Sequence, residues 1–448
     1  MGARSLISSG ACIITLAILA PSIGTGPREQ DLEGKSEVLS AAKKLMPYFA
    51  KEVSPNLMKE FAPIFIKAVE SAQIDLPQIF RDLHAKHGAV REVRLVRMSK
   101  PYRAEVEFLF ENGMLVPTLI EVEAQPPHRI TTLFFRGAQR EKEDWDILRQ
   151  ELQRLPGKLS LWCRRLEPEP GVILDWNSEE SLAVASVFKL LVLVAAVDEI
   201  AKGKRRWEDV VRVRREWASL PAGLLHDWPE GAPLTWFTLA ALMIGQSDNT
   251  AADHLMHLLG RERVEQKQRE LGVKRPERNI PFLTTAELFK LKLVLSAPQQ
   301  EAFVTGDVAT KRKLLDTEVK AASLDRPRPL TEPQRVDEIE WFFSAADVGR
   351  ILEALWQRSK KIPEVLDILS LNPGLPVNRR YWEYVGYKGG SEPGVLAYAL
   401  LLRNRMGQWY VFAIVWNHPQ EPLEPTQLHT LALRLLRYVE QSCPLRSE

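Results

Sequence analysis

The sequence predicts a two-domain chain of mixed α and β structure: a small α+β domain, then a larger one with an antiparallel sheet flanked by helices and an all-helical part inserted into it. Three observations carry this prediction. The 448 residues exceed the roughly 50–250 of a single domain. Apolar residues fall at helical spacing up to Val69 and then alternate with charged ones from Ala104, so helices give way to strands. Beyond that point strand-like runs lie at both ends of the remaining sequence, with helical patterns between them. Hydrophobic residues make up 45% and charged residues 26%, which is ample for a core. Sixty basic residues against fifty-eight acidic ones leave a net charge of +2 with no sustained basic run, which argues against a dedicated nucleic-acid binder.

The chain opens with MGARSLISSGACIITLAILAPSIGTG. Arg4, an apolar stretch from Leu6 to Ala20 and the small residues after it have the layout of a secretory signal peptide over residues 1–26, cleaved between Ala20 and Gly26. A membrane span needs about 20 apolar residues, and Ser8, Ser9 and Gly10 interrupt this stretch. No later segment is long and apolar enough, so the mature protein is expected to be secreted or periplasmic with no stable membrane span. Cys12 precedes most of the apolar stretch, the wrong place for lipid attachment. Cys163 and Cys443 remain, either paired in an oxidising compartment or isolated as buried thiols. No CxxC or cysteine–histidine cluster surrounds them, so no metal and no cofactor is expected.

A first domain is assigned to residues 27–138. VLSAAKKLMPYFA and LMKEFAPIFIKAV read as helices separated by SPN. Val106, Phe108 and Phe110 then alternate with charges, Asn112-Gly113 offers a tight turn, and Leu119 to Val122 follows as a returning strand. This order of elements resembles the nuclear-transport-factor-2 and steroid-isomerase cone over residues 37 to 137. Asp82, His84 and His87 form no catalytic constellation and are read as surface or core residues.

A second domain is assigned to residues 139–448. It starts with a helix in EKEDWDILRQELQRL and continues with LSLWCRRLE and VILDW, two strands around the EPEPG turn. YVGYKGG, VLAYALLLRN and WYVFAIVWN read as three further strands, and LHTLALRLLRYVE as an amphipathic terminal helix. Between the two strand groups lies SVFKLLVLVAA, with Ser186 and Lys189 at the mouth of an apolar run. On a helix these residues share a face, and the helix amino end favours developing negative charge. A serine hydroxyl attacks carbonyls once a base takes its proton, and an amine shifted well below its usual value of about 10.4 does so.

SxxK alone is weak, since a capping serine and a snorkelling lysine give the same letters. Ser40 and Lys43 form another SxxK with no supporting motif. Two further motifs follow the second one in order: Ser247-Asp248-Asn249 in GQSDNTAADHLMHLLG, and Lys388-Gly389-Gly390 in YVGYKGGSEPG. Taken singly, the first also reads as a helix cap and the second as a flexible strand end. The order SxxK, SDN, K[ST]G resembles that of class A β-lactamases and penicillin-binding proteins, and the similarity spans about residues 140 to 440.

The resemblance implies a β-lactamase/transpeptidase-like fold and roles by position. Ser186 would attack a carbonyl and Lys189 would accept its proton. Ser247 would relay protons to the leaving atom, and Lys388 would supply positive charge. Asn249 would hold the substrate amide or the catalytic lysine, and Gly389, Gly390 and Ser391 would bind substrate, with the backbone N–H groups of Ser186 and Ser391 as the oxyanion hole. Asp248 is expected to be structural. His254 and His257, three apart, lack a third metal ligand. The expected substrate is a small-molecule β-lactam, ester or peptide. One architecture in this superfamily, found in the clavulanic acid biosynthetic cluster, joins a steroid-isomerase-like domain to such a hydrolase domain. An exported D,D-carboxypeptidase and a non-hydrolytic ligand-binding or covalent sensor protein are the alternatives.

Three departures qualify the resemblance. Gly389 stands where the third motif has serine or threonine, which removes a hydrogen bond to a substrate carboxylate worth about 1.5–3 kcal/mol. The deacylating glutamate of an ExxLN loop is missing: KRPERNIPFLTTAEL has Glu277 at the wrong spacing, and Glu277 or Glu287 is left as a substitute. The stretch from Leu291 to Glu338 is a surplus that either overhangs the site or lies at the periphery.

Overall fold

The structure is a computed structural model that describes residues 33–323 and 330–445. The expected leader, residues 1–26 with Cys12, lies outside the described residues. The chain forms two compact units that meet in sequence at Asp144/Trp145. Among the described residues no helix is long and apolar enough to cross a membrane.

The first unit begins with α1 (Lys35–Lys44), α2 (Pro63–Ser71) and α3 (Leu76–His87). Its sheet follows as β1 (Val90–Lys100), β2 (Arg103–Phe110), β3 (Met114–Val122), β4 (Ile130–Phe135) and β5 (Gln139–Arg140). The strands are ordered β1-β2-β3-β4, and β5 also pairs with β3. Gln139 and Arg140, expected in the second domain, therefore belong to this sheet.

Both expected N-terminal helices are shorter than their apolar patterns. Pro47 falls in a 3-10 turn after α1, and Pro63 starts α2. Proline lacks an N–H and forces the residue before it to be extended, as Ala62 is at ψ 150°. Phe49 sits at the centre of the core, with ring centroids 4.6 Å from Phe80, 5.2 Å from Phe108 and 5.3 Å from Phe110. Ser40 and Lys43 are exposed on α1 while Ala41 and Ala42 are buried, so that SxxK is a surface feature.

The second unit opens with α4 (Trp145–Arg154), β6 (Lys158–Glu167), β7 (Gly171–Trp176) and β8 (Leu182–Ala183). Its helical part comprises α5 (Lys189–Ala201), a β9 (Val210–Arg212) and β10 (Pro233–Thr235) pair, α6 (Trp236–Gly245), α7 (Asn249–Leu259), α8 (Arg261–Glu270), α9 (Thr285–Leu293), α10 (Ala297–Thr305) and α11 (Val308–Leu314). β11 (Phe342–Phe343), α12 (Ala345–Ser359), α13 (Glu364–Ser370), β12 (Trp382–Glu392), β13 (Val395–Asn404), β14 (Trp409–Asn417) and α14 (Pro425–Ser442) complete it.

The sheet order β12-β13-β14-β6-β7 is antiparallel throughout and joins strands from both ends of the unit. Both faces are covered, which is why β13 and β14 read as nearly unbroken apolar runs. Ala397, Ala399 and Leu401 face the helical part, where α5 and α12 pack, while Leu396, Leu400 and Leu402 face α4 and α14. Cys163 is buried on the second face and Cys443 is half-buried; the two are not joined.

The described residues of the 291–338 stretch are mostly helical up to Ala321 and pack on the rest of the unit. Phe303, Leu315 and Val319 enter the core, and Arg312 pairs with Glu262 and Glu265 of α8. Lys292 of α9 is fully buried between Glu340 and Glu392, at 2.5 and 2.6 Å, and so links α9 to the end of β12.

Candidate active site

Ser186 lies in a single 3-10 turn, Ala185–Phe188, that feeds into α5. The sequence places it on the α-helix itself; the tighter turn follows from Ala185, whose φ of 44° swings the chain sharply out of β8. A left-handed alanine costs on the order of 1–3 kcal/mol, so the surroundings must hold it. A 3-10 turn eclipses residues three apart, which aims Ser186 and Lys189 in one direction. Every residue from Leu190 to Val197 is buried, so α5 is an all-round core helix that anchors the pair.

Lys189 is fully buried, with its Nζ 3.3 Å from Ser186 Oγ. The same nitrogen is 2.6 Å from Ser247 O, 3.3 Å from Ser247 Oγ and 2.7 Å from Asn249 Oδ1. Burial pushes the amine down to about 7, against the opposing pull of Asp253 and Asp248. A large share of the amine is therefore uncharged near neutral pH, with a lone pair within reach of the serine hydroxyl.

The second motif is held by its own middle residue. Asp248 Oδ1 accepts from Ala251 N at 2.8 Å and caps α7, while Oδ2 accepts from Leu224 N and Leu225 N at 2.6 and 2.8 Å. A Cβ at Gly223, whose φ is 111°, would lie 2.3 Å from Asp248 Cγ, so only glycine lets the 222–225 loop close on this carboxylate. Asn249 donates from its backbone to Ala222 O and from Nδ2 to Leu220 O. Ser247 takes φ 55° and turns its hydroxyl between the two lysines.

Lys388 reaches in from β12. Its Nζ donates to Ser247 Oγ at 2.9 Å and to Gly389 O at 2.6 Å. Burial, and after it the charge of Lys189, push this amine well below its usual value. Two buried amines around one hydroxyl repel each other when charged, so carrying both charges at once is costly.

Gly390 sets β12 close against the backbone of the Ser186 turn. A Cβ there would stand 2.2 Å from Val184 O and 3.0 Å from Ser186 N, so no larger residue fits. Ser391 follows, exposed, at the strand end. The structure thus brings Ser186, Lys189, Ser247, Asn249 and Lys388 together, sets Gly390 against the Ser186 backbone, and leaves the Gly389 and Ser391 positions at the rim.

Sequence reasoning missed the wall behind this cluster. Phe188 stacks on Trp341 at 3.8 Å between ring centroids and packs on Phe282 at 5.9 Å. Trp341 O accepts from Val184 N, and Trp341 Nε1 donates to Leu283 O. Asp253, also missed, accepts from Thr285 N, Thr285 Oγ1 and Ala286 N, and burial pushes it up to about 7. The Trp341-Phe342-Phe343 run was the available signal for the wall; Asp253 gave none.

Neither substitute glutamate joins the cluster. Glu277 is exposed beside Arg275, while Glu287 pairs with Arg261 and caps its own helix. Among the described residues no glutamate bonds to any of the five clustered side chains. His254 Nε2 accepts from Arg214 N, His257 stacks on Trp217, and no metal-holding cluster occurs among the described residues.

The model of the β-lactamase enzyme family matches residues 145–439 and does not extend over the first unit. No curated protein matches the chain significantly. Similar solved structures include a β-lactamase from Sphaerobacter thermophilus DSM 20745, 18% identical over 68% of this chain and 100% of that one, with a TM-score of 0.47. PBP-A is 17% identical over 67% and 98%, at 0.46. A class A β-lactamase from Bacteroides cellulosilyticus DSM 14838 is 16% identical over 66% and 97%, at 0.44. By the family match across nearly the whole second unit, the chain belongs to the β-lactamase enzyme family.

Proposed function

We propose that the protein is a serine hydrolase that forms an acyl intermediate on Ser186 and acts on β-lactams or related esters. The observation that carries this is the buried Lys189 amine, pushed down to about 7 and 3.3 Å from Ser186 Oγ. Lys189 takes the hydroxyl proton as Oγ adds to the carbonyl carbon. The carbonyl oxygen gains the electron pair and meets the N–H groups of Ser186 and Ser391. The carbon–nitrogen or carbon–oxygen bond to the leaving group then breaks, and the leaving atom receives a proton relayed from Lys189 through Ser247. Water releases the acyl group and returns the proton to Ser186.

Because no glutamate among the described residues is bonded within the cluster, release is expected to be the slow step. The same observation favours a second reading, an exported D,D-carboxypeptidase whose acyl-enzyme outlives that of an efficient β-lactamase. Mixing the protein with a penicillin, a cephalosporin and simple esters, and following adduct mass and turnover over time, tests the first reading. Release of terminal D-alanine from a peptidoglycan peptide tests the second. Export is part of this proposal, supported by the leader-like residues 1–26; amino-terminal sequencing of the protein recovered outside the cytoplasm checks it.

A further inference from the structure

The third motif lacks a side-chain hydroxyl at Gly389, yet the space beside that residue is not empty. A Cβ built on Gly389 would lie 2.3 Å from the hydroxyl oxygen of Tyr387. A serine or threonine oxygen stands about 1.4 Å from its own Cβ, so the Tyr387 hydroxyl occupies the volume that such a side chain would fill. Residues two apart on a strand share a face, which is how the tyrosine leans along β12 to cover the glycine. Its ring is fixed from the other side: a Cβ at Gly374 would lie 2.2 Å from Tyr387 Cγ, so the 372–375 loop presses glycine against the ring. Tyr398, paired with Gly389 across the sheet, packs at 6.2 Å between centroids.

A phenylalanine ring would pack between the 372–375 loop and Tyr398 as well, but only the hydroxyl reaches the volume beside Gly389. The hydroxyl is therefore what needs explaining, and it has no hydrogen-bond partner among the described residues, nor is it among the fully buried unpaired polar atoms. It is a fixed donor with access to solvent, over the residue next to Lys388.

We propose that Tyr387 is a specificity-determining residue of this site, its hydroxyl donating to a carboxylate on the substrate in place of the hydroxyl missing at Gly389. This rests on the acyl-serine reading above. It gives the substrate class a definite feature, a carboxylate positioned to lie along β12 beside the scissile carbonyl.

Binding in a Ser186→Ala background tests the proposal without requiring acylation. Benzylpenicillin and its methyl ester, which lacks the carboxylate, are titrated by calorimetry into Ser186→Ala and into Ser186→Ala with Tyr387→Phe. The carboxylate ligand is expected to bind about tenfold or more weakly after loss of the phenol hydroxyl, and the ester to change less than about twofold. Adding Gly389→Ser to a Tyr387→Ala variant, which restores a hydroxyl in vacated space, is expected to recover most of the loss. Equal effects on both ligands, no effect on either, or failure of the Ser186→Ala protein to bind the free acid each overturn the proposal. None of these outcomes touches acylation of the wild-type protein by uncharged esters, which tests the functional reading separately.

Discussion

Asn249→Asp replaces an amide oxygen 2.7 Å from Lys189 Nζ with a carboxylate of nearly the same shape. Lys189 is held near 7 because burial penalises its charge by more than the pull of Asp253 and Asp248 restores, and no carboxylate touches it directly among the described residues. An opposite charge at this distance raises an amine's pKa by about 1–3, which carries Lys189 to about 8–10. The uncharged fraction at pH 7 then falls from about one half to between about a tenth and a thousandth, so acylation slows by about 5- to 500-fold. Stopped-flow acylation by a chromogenic cephalosporin, followed from about pH 5.5 to 10, reads this directly. The wild-type rate is expected to climb through an ascending limb near pH 7 and the variant's limb to lie higher. A variant whose limb stays at the wild-type position, or a wild-type rate that is flat from pH 6 to 8, refutes Lys189 as the base.

Gly390→Ala puts a methyl group 2.2 Å from Val184 O and is expected to push β12 off the Ser186 turn. Acylation should fall by about 100-fold or more while the melting temperature drops only modestly, because a rim displacement disturbs the oxyanion site more than the core; unchanged acylation contradicts the close approach. Burial first, and the neighbouring Glu392 next, push Glu340 up to about 8, above the usual value of about 4.3. The folded state thus holds this proton more tightly than the unfolded one, so the contribution is full below about pH 4.3 and is lost as pH rises towards 8. Glutamine cannot ionise, so the melting temperature of Glu340→Gln relative to wild type should rise between about pH 5 and 8.5; a pH-independent difference contradicts this.

The residues proposed for the chemistry were legible because each motif is short and carries fixed spacing. Ser186 and Lys189 sit one turn apart, Asp248 caps the helix its motif opens, and Lys388 lies within a strand with two glycines after it. The sheet was legible because β13 and β14 are buried on both faces. By contrast α3 and β1 escaped notice: α3 buries only Leu76 and Phe80, and β1 mixes arginines with its apolar residues on a partly solvated surface. What assembles the site is long-range. The stacking of Trp341 on Phe188, the anchoring of Thr285 by Asp253 and the link from Lys292 to Glu392 join segments far apart in the chain, where no local pattern betrays the contact. The covering of Gly389 by Tyr387 is local, but only the side-chain direction reveals it.

Peptide mapping by tandem mass spectrometry after brief exposure to a penicillin and to an uncharged ester tests the central claim most directly. The account predicts an acyl group from at least one of them on the peptide containing Ser186, at its hydroxyl, and none in Ser186→Ala. An unmodified Ser186 with both reagents, or an adduct that persists in the alanine variant, contradicts it.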